Sequence, residues 1–180
     1  LKKEINQYQE AKKLLLKALE LESNNINILL NLAMCCQGIG EPNEAINYVL
    51  KVIDLDPNNT SAYKLLSTII DYNKDQKYLK KMKQLTDEEI FKNYSSSQKV
   101  ELLFGLSKAY EDIKDFENSF KFLKQANFIE NENNIQKTEN IKKLFDSLIK
   151  LFKSIEIKKS EITNKKKYIF ICGMPRSGTT

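Results

Sequence analysis

The sequence contains no histidine and no tryptophan, and it has only five glycines and three prolines among 180 residues. Histidine is the commonest general base and metal ligand, so no catalytic histidine and no zinc site of the histidine–cysteine type can be built within this chain. Because glycine and proline interrupt helices, their scarcity favours an all-helical body. The three cysteines, Cys35, Cys36 and Cys172, lack a C-x-x-C spacing, which predicts reduced thiols in a cytoplasmic protein.

Long apolar runs are also absent, since none approaches the ~18 residues that a membrane-spanning helix needs. The chain begins at Leu1 rather than methionine, so the presence of a signal peptide or membrane anchor before Leu1 stays an open question. Of the 29 basic residues only Arg176 is an arginine, and the net charge of +5 arises in the last quarter of the chain. The lysines in this part of the chain indicate either a positive electrostatic field that attracts an anionic ligand or a solvated linker. For each lysine taken singly, we favour the solvated linker. We expect no nucleic-acid partner and no metal.

The sequence contains an internal repeat, in which residues 8–25 align with residues 42–59 at an offset of 34. Ala11 thereby corresponds to Ala45. Small side chains such as Ala33 and Ala45 let the backbones of two antiparallel helices approach closely, while larger apolar side chains fill the remaining space. The predicted space-filling residues are Leu29, Leu32, Val49 and Val52.

This offset, with small residues at helix crossings and a Pro-Asn-Asn turn at 57–59, resembles the tetratricopeptide repeat. The resemblance implies an all-α helical solenoid of about four repeats over residues 1–133. Repeat one has lost most of its first helix, which suggests a truncated N-terminus, whereas repeat two is the clearest and repeat three is irregular. The repeats begin at residues 1, 26, 60 and 100.

A longer amphipathic segment occupies residues 134–156. Its apolar residues recur at three- and four-residue steps, which predicts one helix with a single apolar stripe. The stripe consists of Ile135, Ile141, Leu144, Phe145, Leu148, Leu151, Phe152 and Ile155. We expect this helix either to cover the open end of the repeats or to connect them to the C-terminal segment through a lysine-rich linker at residues 157–167.

The pattern changes at residues 168–172, where the apolar run Tyr-Ile-Phe-Ile-Cys predicts a buried parallel strand. The next turn, Gly-Met-Pro-Arg-Ser-Gly-Thr-Thr at residues 173–180, has the composition of a loop that cradles a phosphate at the start of a helix. It is not a Walker A loop, because Thr179 stands where that motif has its lysine. The cation is instead Arg176, whose guanidinium can hold a phosphate through two parallel hydrogen bonds.

Strand and loop together resemble the 5′-phosphosulfate-binding loop of sulfotransferases. The Pro-Arg form is most similar to tyrosylprotein sulfotransferases and to bacterial proteins that join tetratricopeptide repeats to a sulfotransferase domain. The resemblance implies that residues 168–180 begin a truncated α/β sulfotransferase domain of P-loop-like fold, which would bind the sulfate donor 3′-phosphoadenosine-5′-phosphosulfate (PAPS). Arg176 would also stabilise charge on the leaving oxygen, as a catalytic residue. The implied cofactor-binding residues are Arg176, Ser177, Gly178, Thr179 and Thr180.

In that interpretation the full-length protein transfers a sulfuryl group to an acceptor hydroxyl, and the present chain alone is inactive because the general base and the 3′-phosphate site lie downstream. Two alternatives stay open. The loop could be an ordinary strand-to-helix turn, and the chain could be a tetratricopeptide adaptor that binds a protein or peptide, even the acceptor itself, on its concave face. The residues predicted to project from that face are Asn27, Leu30, Met34, Lys64, Thr68, Tyr72, Phe104 and Lys108.

Overall fold

The computed structural model describes residues 2–154, apart from the side chains of residues 2–4, 6 and 133–138. Every regular element in this part of the chain is a helix, which confirms the predicted all-helical body. The elements are α1 (Lys2–Leu21), α2 (Ile26–Ile39), α3 (Pro42–Leu55), α4 (Thr60–Ser67), α5 (Lys77–Gln84), α6 (Glu88–Phe91), α7 (Ser96–Asp112) and α8 (Phe116–Ser154). The linker, strand and loop predicted at residues 157–180 lie outside the described residues.

Helices α2 and α3 form an antiparallel pair inside residues 26–59, the segment predicted as repeat two. An asparagine caps the helix that begins at each boundary of this segment, and the two asparagines occupy equivalent positions of successive repeats. The Asn25 side chain accepts hydrogen bonds from the amides of Asn27 and Ile28, and the Asn59 side chain accepts one from the amide of Ala62. These caps satisfy amides that have no partner inside a helix, so each helix begins at a defined residue.

The close approach of α2 and α3 depends on small residues. Ala33 and Ala45 are both completely buried, together with Val49 and Val52. The turn between the two helices uses Gly40 at a φ of 85°, a left-handed conformation that glycine adopts without strain. One apolar core then continues from this pair through α4, α5 and α7.

In the segment predicted as the irregular repeat three, the first helix is short. Helix α4 ends at Ser67, where the hydroxyls of Ser67 and Thr68 donate to the carbonyls of Lys64 and Leu65. Such local bonds compete with the helical ladder. The chain then turns inward, and α5 and α6 follow as short helices before Ser95 begins α7 with a capping box.

Helix α8 is continuous over Phe116–Ser154, so the second helix of repeat four and the predicted amphipathic segment form one element. Tyr110 of α7 stacks on Phe122 of α8 at a centroid distance of 5.5 Å, and the hydroxyl oxygens of Ser107 and Ser119 are 3.3 Å apart. The chain divides into two compact units, Leu1–Lys137 and Thr138–Thr180. In the second unit the apolar stripe from Ile141 to Phe152 is exposed, and its role as a cover for the repeats stays a prediction.

Two buried tyrosines differ in their hydrogen bonding, and this difference gives a stability prediction. The Tyr63 hydroxyl donates to the Pro57 carbonyl at 3.0 Å, whereas the Tyr72 hydroxyl finds no partner among the described residues. Burial raises the pKa of Tyr63 to about 12 and that of Tyr72 still further.

We expect Tyr63→Phe to lower the free energy of unfolding by about 1 kcal/mol, because it leaves a carbonyl unpaired, and Tyr72→Phe to be neutral or stabilising. Urea unfolding of both variants measures the difference. Equal losses in the two variants would show that the Tyr72 hydroxyl is bonded in solution.

Candidate protein-binding groove

A groove of about 680 Å³ runs between α2 and α4, and we refer to it as the central groove. Helix α2 contributes Asn27, Leu30, Asn31, Met34, Gln37 and Gly38. The other lining residues are Tyr8 of α1, Ser61, Lys64 and Leu65 of α4, Thr68 at the end of α4, and Glu101 of α7. Helical spacing explains the set, because residues three and four apart share one face of a helix.

The central groove combines an apolar surface with unpaired amides. Leu30, Met34 and Leu65 provide the apolar part, and 55% of Met34 is exposed. The side chains of Asn27 and Asn31 are exposed without a hydrogen-bond partner among the described residues. Such amides can both donate to and accept from a peptide backbone.

One end of the central groove is tied together by a hydrogen bond. The Gln37 amide nitrogen donates to the Thr68 hydroxyl at 3.0 Å, linking α2 to the end of α4. This bond is a direct side-chain link between the two walls of the groove.

The two charged residues of the groove have different surroundings. One carboxylate oxygen of Glu101 accepts hydrogen bonds from the hydroxyls of Thr60 at 2.9 Å and Ser61 at 2.7 Å, which ties α7 to the first turn of α4. An acidic group at that position also suits the positive end of the helix. Lys64, in contrast, is exposed and makes no ion pair among the described residues. The groove therefore offers one cation that is available to a ligand.

Five of the eight residues predicted on the binding face line this groove: Asn27, Leu30, Met34, Lys64 and Thr68. The prediction for Tyr72 is wrong, because α4 ends at Ser67 and Tyr72 is completely buried in the core. Phe104 is half-buried and lies outside the groove. Lys108 is exposed but forms ion pairs with Glu111 and Asp112 of its own helix.

The prediction missed Ser61, which the internal repeat could have supplied from Asn27, and it missed both Asn31 and Leu65. Moving from one repeat to the next takes Asn27 to Ser61 and Asn31 to Leu65, so both pairs occupy equivalent helix positions. Glu101 had no such signal, because it comes from α7, which follows the irregular third repeat.

A second polar cluster joins α1, α2 and α3. The Lys12 ammonium donates to Glu41 at 2.5 Å and Glu44 at 2.6 Å, and the Cys36 thiol donates to Glu44 at 3.6 Å. Burial raises the pKa of Cys36 to about 11, and the hydrogen bond from Lys12 lowers that of Glu44. The thiol and the two carboxylates are near enough to share a metal ion. Lys12 already bonds both carboxylates, however, so the cluster is explained as an ion pair that fastens α1 to the start of α3.

The predicted PAPS-binding residues 176–180 lie outside the described residues, so their role stays a prediction. A search of the described helices for one long and apolar enough to cross a bilayer finds none.

Family models described as tetratricopeptide repeat match residues 6–84 and 100–131. These two segments are therefore tetratricopeptide repeats, which confirms the interpretation of the internal repeat. No curated protein matches the chain.

Two crystal structures of MamA are similar, each with 19% sequence identity and a TM-score of 0.40. The alignments cover 71% and 73% of this chain and 91% and 86% of the MamA chains. At these values the likeness has no bearing on function.

Proposed function

We propose that the chain is a protein-binding scaffold whose central groove holds a short segment of a partner protein. The observation that carries this proposal is an open, partly apolar groove on helices of a tetratricopeptide-repeat protein, with the unpaired amides of Asn27 and Asn31 beside the exposed Met34 side chain. Repeat proteins commonly use such extended surfaces for peptides.

The chemistry of the groove defines the segment that it would bind. Leu30, Met34 and Leu65 favour a bulky apolar side chain. The two asparagine amides suit the backbone of a peptide, because they can pair with both its N–H and C=O groups. Lys64 favours an acidic side chain beside the apolar one, since it is the lining cation without an ion pair among the described residues.

Selection from a random peptide library displayed on phage tests this function. Peptides that bind the wild-type chain are expected to lose at least about tenfold in affinity on the double variant Met34→Glu/Leu65→Glu, because two carboxylates replace the apolar surface. A matched control, Leu55→Glu, changes a partly exposed leucine outside the groove and is expected to bind normally. Lys64→Glu is expected to change the selected sequences from acidic to basic.

Two results would contradict the proposal. The first is a set of selected peptides that bind the double variant and the wild type equally well. The second is a set without acidic residues whose affinity is unaffected by Lys64→Glu. Circular dichroism of each variant confirms that the helices are retained.

A second candidate function rests on the sequence of residues 168–180. We propose that the protein also takes part in sulfuryl transfer from PAPS, because an apolar run followed by Pro-Arg-Ser-Gly-Thr-Thr resembles the phosphosulfate loop of sulfotransferases. Backbone amides of Ser177 to Thr180 would hold the 5′-phosphate, and Arg176 would bridge phosphate and sulfonate. No metal is required in this scheme.

Transfer of radiolabel from PAPS to a panel of peptide, carbohydrate and small-molecule acceptors tests the second candidate. The full-length protein is expected to transfer label, and Arg176→Ala is expected to abolish transfer while leaving the helical signal unchanged. Unchanged turnover in Arg176→Ala would remove this arginine from the mechanism, and no transfer by the full-length protein would remove the activity.

A further inference from the structure

Glu101 places a carboxylate in the central groove, and one of its two oxygens is not used by the fold. The Oε2 atom accepts the hydrogen bonds from Thr60 and Ser61. The Oε1 atom makes no hydrogen bond or ion pair within the part of the chain that the structure describes. Because the side chain is half-buried and lines the groove, a ligand in the groove can reach this second oxygen.

The opposite charges of Glu101 and Lys64 lie in the same groove without pairing with each other. The hydroxyls of the first turn of α4 hold the carboxylate, whereas Lys64 comes one turn later on that helix. On α7, Gly105 follows Glu101 by four residues, and a Cβ atom at Gly105 would lie 3.5 Å from the Lys64 Cα atom. The two charged side chains therefore start about one helical turn, ~5 Å, apart along the groove.

The hydrogen bonds of Glu101 determine which cation fits it best. An arginine guanidinium bonds a carboxylate most strongly through two parallel hydrogen bonds, one to each oxygen. The Oε2 atom already accepts two hydrogen bonds, which use both of its lone pairs. A lysine ammonium is a compact charge that needs only one oxygen, so the free Oε1 atom favours lysine over arginine.

We propose that the segment bound in the central groove carries a lysine whose ammonium donates to Glu101, two positions away from the acidic residue that contacts Lys64. In an extended peptide, residues two positions apart project on the same side and lie about 6.5 Å from each other. This spacing is close to the one helical turn between the two charged side chains of the groove. The inference rests on the function proposed for the central groove and makes Glu101 a second residue that determines which segment binds.

A purely structural role for Glu101, which ties α7 to α4, is the competing explanation. Glu101→Gln separates the two roles, because the amide oxygen of glutamine still accepts from the Thr60 and Ser61 hydroxyls while the negative charge is removed. We expect this variant to keep its helical circular dichroism and a urea unfolding midpoint close to that of the wild type.

A library of synthetic peptides with nine random positions serves as the probe. The peptides are acetylated and amidated, so that a terminal amine cannot supply the ammonium. Peptides retained by the wild-type chain are expected to have lysine two positions from aspartate or glutamate more often than the starting library, and to have lysine there more often than arginine. Glu101→Gln is expected to remove the enrichment of lysine and to leave the acidic preference, which depends on Lys64.

Glu111→Gln is the matched control. Glu111 is an exposed residue of the same helix outside the central groove, and the substitution makes the same change in charge. We expect this variant to retain peptides with both the lysine and the acidic residue.

A double-mutant cycle locates the contact of the lysine. Replacing the lysine of a retained peptide with glutamine is expected to weaken binding to the wild-type chain about fivefold in fluorescence anisotropy. The same replacement is expected to leave the affinity for Glu101→Gln unchanged, because the partner of the lysine is then already lost.

Two outcomes would overturn the inference while the central groove remains a binding site. The first is a set of retained peptides that lose affinity on Met34→Glu/Leu65→Glu but show no enrichment of lysine on the wild-type chain, a result that does not depend on the Glu101 variant. The second is an equal effect of the lysine replacement on the wild type and on Glu101→Gln. Retained peptides that are unaffected by the double variant would contradict the groove proposal itself, and this inference with it.

Discussion

Ala45→Leu is expected to lower the free energy of unfolding by about 2–3 kcal/mol, because it inserts three carbon atoms at a completely buried position of the α2–α3 pair. Ala45 has no exposed surface, and its neighbours Val49 and Val52 have none either. The larger side chain has no space to enter, so the helix pair must separate or its side chains must leave their preferred rotamers. Urea unfolding followed by circular dichroism measures the loss.

Ala11→Leu is the matched control, since Ala11 occupies the same repeat position on a helix whose outer side is open. We expect a change within about 0.5 kcal/mol for this variant. A similar loss at both positions would mean that the α1 surface is covered in solution. Little loss at Ala45 would mean that the helices are not held at the crossing that the structure shows.

Gly105→Leu is expected to destabilise the chain by about 2–3 kcal/mol through the contact between α4 and α7. A Cβ atom at Gly105 would lie 3.2 Å from the Met82 sulfur and 3.5 Å from the Lys64 Cα atom. The methionine end is flexible and can move by a few tenths of an ångström, but the backbone of α4 cannot move without displacing the wall of the central groove.

Gly105→Ala distinguishes the effect of the Met82 contact from the effect of the contact with the α4 backbone. Alanine requires only the small shift of Met82, and its higher helix propensity offsets that cost by up to about 1 kcal/mol. We therefore expect this variant to stay within about 1 kcal/mol of the wild type in thermal or urea unfolding. A large loss for alanine, or no loss for leucine, would contradict the close approach of the two helices.

The regular part of the fold was predictable because its determinants are local and repeat. Ala33 and Ala45 mark a helix crossing, and Asn25 and Asn59 are caps at equivalent positions of successive repeats. Each signal depends on spacing along one or two helices, which a sequence shows directly. The same spacing placed five residues of the central groove correctly.

The position of Tyr72 was not predictable from spacing, because distant residues determine it. The Tyr72 amide donates to the Asp112 carboxylate at 3.4 Å, and the Asn73 side chain donates to the Asp112 carbonyl at 2.5 Å. Both contacts reach the end of α7, about forty positions further along the chain. Extending the helical pattern of α4 through this segment therefore placed Tyr72 on the wrong face.

The length of α8 was not predicted, because the local sequence signal for a helix end is weak in this segment. The asparagines within residues 131–134 occupy the place in repeat four that the Pro-Asn-Asn turn occupies in repeat two. Repeat four was therefore expected to end there. The helix instead continues to Ser154, and no glycine or proline occurs between Phe116 and Ser154. Asparagine favours turns, but without a stronger helix breaker its cost in a helix is only a few tenths of a kcal/mol.

The most direct test of the account is nuclear magnetic resonance mapping of a library-selected peptide on the isotope-labelled chain. If the central groove is the binding site, amide shifts on adding the peptide will be largest for Asn27, Asn31, Met34, Lys64 and Leu65, with little change along the outer face of α3. Shifts concentrated on α3 or α5, with the α2 and α4 residues unaffected, would contradict the central claim that these repeats bind protein segments between α2 and α4.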